Sequence, residues 1–169
     1  MNSYQPMPLH LETERLTMRP WTPADAPSYS ALTAERDDGG FPAQIARERI
    51  ANQLATSAQT GIALLPIERR VEGDFIGYCG LIIGRASLDE PEIAYELFRR
   101  AHGHGYATEA ARAVVAAAAA TGRRRLWSTV GAWNAASLRV LDKLGFERSH
   151  VTPHEAGKGA VIWLTRTLP

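Results

Sequence analysis

Gly103 and Gly105 stand between a strand-like run and a long alanine-rich stretch, and they mark where this chain could hold an anion. Glycine takes tight and positive-φ conformations without steric cost. A helix that opens here, near His104, leaves its first amide N–H groups without intrahelical partners. Those donors, with the positive end of the helix dipole, suit a phosphate or a pyrophosphate. Arg99 and Arg100 add cationic charge to the same turn, and His102, His104, Tyr106 and Ala107 complete it. On the run before the turn, Glu92 and Glu96 are an even number of residues apart, so a regular strand directs both carboxylates to one face. Either could relay a proton, directly or through water. His102 and His104 are spaced like a metal pair, yet no Cys or carboxylate stands at ligand spacing, so they read as the rim of the cradle and no metal is expected.

The elements that must position these groups alternate irregularly. Residues 9–19 read as a first strand ended by Pro20, and Thr22-Pro-Ala-Asp25 as the capped start of a helix near 23–34. A turn at Asp37-Asp-Gly-Gly40 leads to a second helix over 42–58. Gly61–Glu68 and Phe75–Gly84 are apolar runs around Glu72-Gly-Asp74 and predict a hairpin, with Pro66 implying an edge position or a bulge. Glu90–Leu97 is the next strand, 104–121 the alanine-rich helix stopped by Gly122, Leu126–Val130 a strand, and 134–144 a short helix stopped by Gly145. Phe146–Val151 and Gly159–Thr167 close the chain as strands.

Composition bounds the rest. The chain has 169 residues, 45% hydrophobic and 22% charged, which fits one domain over 1–169 with a full core. A formal net charge of +1 gives no global pull toward nucleic acid or membrane. The single cysteine, Cys79, forms no internal disulfide and points to a reducing compartment. No signal peptide opens the chain and no apolar run approaches a membrane span, so a cytoplasmic location is expected. Arg123-Arg-Arg125 follows the helix stop, where basic side chains complement the dipole. Cys79 reads as a core thiol, His150 and His154 as loop histidines or as the rim of an acceptor pocket, and Trp133 as a neighbour of Asn134.

Two nucleotide motifs fail at the glycine turn. No Gly-Lys-Ser/Thr of a Walker-type loop is present, and Thr108 occupies the third glycine of a dinucleotide fingerprint. Arg100-Ala-His-Gly-His-Gly105 instead resembles the Arg/Gln-x-x-Gly-x-Gly/Ala signature of the GNAT acetyltransferases. Asn134-Ala-Ala-Ser137, continuing to Lys143-Leu-Gly-Phe146, resembles the second block of that superfamily. Leu11-Glu-Thr-Glu-Arg-Leu-Thr-Met-Arg19 looks like the first strand of the branch that acetylates ribosomal-protein N-termini and many small amines. The three blocks are in family order and cover nearly the whole chain.

The resemblance implies an α/β fold, a mixed and mostly antiparallel twisted sheet flanked by helices on both faces and opening as a V between central strands. It implies acetyl-coenzyme A as co-substrate, with its pyrophosphate on the 103–107 turn and its pantetheine arm between Ile93–Phe98 and Trp127–Val130. The thioester oxygen then lies near a backbone N–H around Leu97 or Phe98. Asn134 would hold the pantetheine amide or the sulfur region while also capping its own helix. The reaction would be attack of a neutral amine on the thioester. A protein N-terminal α-amine needs little help, whereas a lysine amine requires roughly 4 kcal/mol of deprotonation. Glu96, the nearer carboxylate to the turn, is expected to matter most, with Glu92 as the other candidate base. The family's tyrosine acid falls at Leu141 and is missing, which leaves Ser137 as the nearest hydroxyl for the leaving thiolate, or as a packing residue. The expected acceptors are protein N-termini first and small-molecule amines second, and the family's habits allow a homodimer. The alternative is a non-catalytic coenzyme A-binding sensor or structural module.

Overall fold

A computed structural model describes residues 3–169. Its strands are β1 (Leu11–Glu12), β2 (Leu16–Met18), β3 (Leu64–Arg69), β4 (Phe75–Ile82), β5 (Glu92–Leu97), β6 (Arg125–Gly131), β7 (Glu147–Pro153) and β8 (Ala160–Thr167). Its helices are α1 (Ala26–Thr33), α2 (Ala43–Thr60), α3 (Tyr106–Ala120) and α4 (Ala135–Lys143), with single 3-10 turns at Pro23–Asp25 and Arg99–Ala101. All eight strands join one sheet in the order β1-β2-β3-β4-β5-β6-β8-β7. Every pair is antiparallel except β5 with β6. The fold is the mixed, mostly antiparallel α/β sheet that the sequence implies.

One local expectation changes, and at Pro66 the structure takes the bulge of the two alternatives. The strand expected over 9–19 is instead a small hairpin, with Leu11 opposite Met18 and the turn closed by Thr13 N–H on the Leu16 carbonyl. Pro66 lies inside the sheet, one residue past the last β2 pair, with a bulge following at Ile67/Glu68. Its carbonyl points to the β2 side, where Arg19 N–H reaches it, so its missing N–H breaks no bond to β4.

The two sheet faces have different cores. On the back face, α3 presents Ala110, Ala111, Val114, Val115, Ala117 and Ala118 to Ile76, Leu81, Ile93 and Leu97. Alanine forms helix readily, and its small side chain lets α3 lie close to the strands. On the front face, Trp21, Ala26, Tyr29, Ala46 and Ile50 pack with Phe41, Phe75 and Tyr78 beneath α1 and α2. The β4–β5 register pairs Tyr78 with Glu96, Gly80 with Ala94 and Ile82 with Glu92, which sets both glutamates on the front face and Ile93, Tyr95 and Leu97 on the back.

Candidate active site

β5 and β6 are paired at one position, Glu92 with Trp127, and diverge from there. The Trp127 N–H bonds the Pro91 carbonyl at 2.9 Å and closes the vertex of the splay. Glu92, 4% exposed, fills that vertex. Its carboxylate accepts from the Thr129 N–H at 3.1 Å, the Thr129 hydroxyl at 2.6 Å and the Arg85 N–H. It thereby replaces the ladder bonds that separation of the strands would otherwise leave open. Gly84 makes room for it: a Cβ there would overlap the carboxylate, and φ is +56°. Beyond the vertex the strands enclose a cavity of about 490 Å³, lined by Glu92–Tyr95 on β5, Ser128–Gly131 on β6, and Asn134 and Ser137 at the start of α4.

Backbone donors along β5 alternate. Phe98 N–H bonds the Ile76 carbonyl at 2.9 Å, so it is engaged with β4. In an antiparallel ladder, bonded residues alternate, so the Leu97 N–H turns away from β4 toward the splay. Of the two expected oxyanion donors, Leu97 is the one with its N–H free of β4.

The turn after β5 has the cradle's geometry. Gly103 and Gly105 both take φ +79°, in the left-handed region that favours glycine, and Gly105 is the N-cap of α3 with no side chain capping it. Among the described residues, the N–H groups of residues 103–108 have no acceptor within the chain. The two arginines are directed elsewhere. Arg99 bonds Glu35 through its N–H at 2.9 Å and its side chain at 2.7 Å, and Arg100 bonds Asp74 at 2.7 Å and the Phe75 carbonyl at 2.8 Å. A cation the sequence did not single out lies beside the turn. Arg15 lies 4.5 Å over the Tyr106 ring, bonded to Glu109 on the first turn of α3. His102 meets the Leu97 carbonyl at 3.0 Å and His104 stacks on Tyr106 at 5.5 Å. Among the described residues no three of His, Cys, Asp and Glu gather where they could hold a metal.

The two carboxylates share a face and differ in surroundings. Glu96 does not line the cavity. Arg36, between α1 and α2, grips it with a two-pronged pair, Nε on Oε2 at 2.8 Å, and the Tyr78 hydroxyl adds a bond at 3.1 Å. Asn134 accepts the Ser137 N–H at 3.2 Å, a helix cap that leaves its amide nitrogen for the cavity. Leu141 is fully buried in the core. A tyrosine does reach this region from the opposite wall: Tyr95 lines the cavity and its hydroxyl donates to the Ser137 carbonyl at 3.2 Å. Burial, opposed by that bond, pushes its pKa up to about 12. Burial likewise pushes the Cys79 thiol up, as expected of a core cysteine.

The family model of the GNAT acetyltransferase domain matches residues 15–147, which span the whole of this site. The chain belongs to the GNAT acetyltransferases. It is an acetyl-CoA-dependent N-acetyltransferase. An acetyltransferase of Agrobacterium tumefaciens is 28% identical, with TM-score 0.78 over 98% of each chain. RimL, a ribosomal L7/L12 α-N-protein acetyltransferase solved with coenzyme A, superposes with TM-score 0.80 at 15% identity, over 96% of this chain and 97% of its own. The protein yncA of Salmonella typhimurium, solved with acetyl-CoA, gives TM-score 0.74 at 19% identity, over 92% and 95%. The last two share the fold with this GNAT chain. Arg123 is buried over Tyr4, and Arg125 is turned to Glu90 and Thr165, so the arginine run leaves Arg124 as its exposed member. Among the described residues no helix is long and apolar enough to cross a membrane.

Proposed function

We propose that this acetyltransferase acts on a primary amine, a protein N-terminal α-amine in the first place and a small-molecule amine in the second. Acetyl-CoA would place its pyrophosphate on the N–H groups of residues 103–108 and its pantetheine arm between β5 and β6, as an added strand. The splay at Glu92 and Trp127 is the observation that carries this reading, because an arm with two amides can use the backbone groups that the strands no longer give to each other. Asn134 and Ser137 flank the arm, and Tyr95 holds the start of α4 at the width of the gap.

The amine would arrive on the front face. Its lone pair attacks the thioester carbon, a C–N bond forms, and a splay-facing N–H of β5 on the cavity wall, that of Tyr95, would support the developing oxyanion, Leu97 lying beyond the cavity. Collapse breaks the C–S bond and releases the thiolate, which is a competent leaving group, its thiol titrating near ~8.5. The ammonium proton passes to water or to a carboxylate. Glu92 lines the cavity and Glu96 is committed to Arg36, so the geometry supports Glu92 as the closer proton acceptor. Positioning alone can supply ~7–11 kcal/mol of the barrier. Likeness to RimL, whose substrate is a protein α-amine, supports the order of acceptors, as does the small deprotonation cost of an α-amine. The buried thiol of Cys79 fits a reducing, cytoplasmic setting. Release of free coenzyme A is the test, measured with peptides of varied N-terminal residue against free amines. Turnover of small amines with none of any peptide would reverse the order, and no turnover with either would sink the reading.

A further inference from the structure

Thr129 is the middle of a chain of bonds that runs from the β7–β8 turn to the vertex of the splay. Glu155, in that turn, grips Arg85 with both carboxylate oxygens, Oε2 accepting from Nη2 at 2.8 Å. Arg85 Nη1 bonds the Thr129 hydroxyl at 2.7 Å, and that hydroxyl bonds Glu92 Oε1 at 2.6 Å. The two ends of the chain fix where its protons point. A guanidinium only donates, so the Thr129 oxygen accepts from Arg85 and its single hydrogen goes to Glu92. A hydroxyl bonded to a carboxylate is of the stronger, charge-assisted kind. Arg85 holds the Glu155 carboxyl down to about 2, so the outer pair stays charged at any working pH. The two oxygens of Glu92 are thereby made unequal. Oε1 accepts both the Thr129 N–H, at 3.1 Å, and the Thr129 hydroxyl, which fills its two lone pairs. Oε2 accepts the Arg85 N–H and keeps one lone pair. Arg85, Glu92 and Thr129 all line the cavity.

We propose that Thr129 and Arg85 are positioning residues, which saturate Glu92 Oε1 and leave Oε2 as the atom that takes the proton of the attacking amine. The inference rests on the acetyl-transfer reading above and goes beyond it by giving two side chains and one oxygen their parts. As the C–N bond forms, an N–H bond of the ammonium breaks and an O–H bond forms on Oε2. Water or the released thiolate then takes that proton, and Glu92 returns to its anion. The terminal torsion of a glutamate is broad when nothing holds it. Here three donors from two elements, β6 and the β4–β5 connection, fix the plane of the carboxylate. Gly84 keeps the space beside Oε2 clear, since a Cβ there would overlap that atom. Glu155 acts one step further out, by holding the guanidinium against the hydroxyl.

The experiment is a double-mutant cycle on kcat for coenzyme A release, with alanyl-glycinamide and propylamine as acceptors. Thr129→Val removes one charge-assisted hydrogen bond and should lower kcat by roughly tenfold or more, with little change in acceptor KM. Thr129→Ser should restore kcat. Arg85→Met keeps the backbone N–H and should lower kcat less than Thr129→Val, because the hydroxyl still reaches Glu92. In a Glu92→Gln background, Thr129→Val should cause no further loss, since it acts only through that carboxylate. The melting-temperature rise with acetyl-CoA should persist in each variant, which shows the fold and the splay intact. Additive losses in the Glu92→Gln, Thr129→Val double variant would reduce Thr129 to a strut of the sheet and overturn the proposal. Normal kcat in Thr129→Val would overturn it, as would failure of Thr129→Ser to restore kcat. Near-normal kcat in Glu92→Gln would overturn it too, while leaving acetyl transfer in place. No coenzyme A release by wild type with any peptide or amine would sink the transfer reading itself.

Discussion

Glu92 and Glu96 face the same way from one strand, and their neighbours separate them. Glu92 accepts two backbone N–H groups and a hydroxyl at the vertex of the cavity, while Glu96 is bound by Arg36 and Tyr78 beneath α1. Glu92→Gln should lower kcat by ~10² or more and flatten its rise with pH, the signature of a lost proton acceptor. Glu96→Gln, which leaves Arg36 without its ion partner, should act mainly on acceptor KM and on stability. Rate–pH profiles of both variants decide it, and near-normal kcat in Glu92→Gln with a collapse in Glu96→Gln would reverse the roles. The shared face was legible from the even spacing. The Arg36 pair was not, because nothing in a sequence marks a contact between residues 60 apart. Tyr95 was legible in part, since an odd position on the same strand has to face α3 and α4, but the family pattern points instead to the helix position held by Leu141.

The loop from β5 to α3 works as a unit whose donors all belong to the backbone. Its sequence, Arg100 to Gly105, announced the turn, and the two glycines are left-handed as their placement implied. The cations were harder to read, because arginine side chains reach far: Arg99 and Arg100 turn back to Glu35 and Asp74, and Arg15 arrives from the hairpin before β2. Gly105→Val forces a β-branched residue to φ +79°, at roughly 1–3 kcal/mol, and displaces the first N–H groups of α3. The variant should stay folded by circular dichroism and lose most of its affinity for acetyl-CoA. Unchanged binding by calorimetry would remove the pyrophosphate from this turn. Element types were recovered along most of the chain. Ends moved by at most three residues, and the first strand broke into a hairpin because Leu16–Met18 pairs both with β1 and with β3.

For the whole molecule, acetyl-CoA should act as a stabiliser, since it binds only the folded chain. At about 100 times Kd the gain is ~2.7 kcal/mol, which raises Tm by roughly 5–11 °C for a chain of this size. A thermal scan with and without acetyl-CoA checks this. Acid should loosen the protein at a defined place. The Asp74 carboxyl is held down to about 2 by its bonds to Arg69, against the opposing effect of burial, and further by Arg100. A depressed carboxyl stabilises the fold above its ordinary value of 3.8 and ceases to do so as pH falls toward about 2. Wild type should therefore lose Tm more steeply than Asp74→Asn across that interval, and parallel curves would discount the cluster. Asp74 joins the β3–β4 turn to Arg100, so the same titration loosens the support of the cofactor turn.

The single pairing of β5 with β6 also has a mechanical meaning. It divides the sheet into two plates, β1 to β5 and β6 with β8 and β7, which meet along a seam riveted at one end by Glu92 and bridged by Tyr95 on α4. Each plate is stiff across its own ladders and compliant about the seam. A strand-like guest seated there turns the two plates into one, so occupancy changes the rigidity of the molecule before it changes any bond in the substrate.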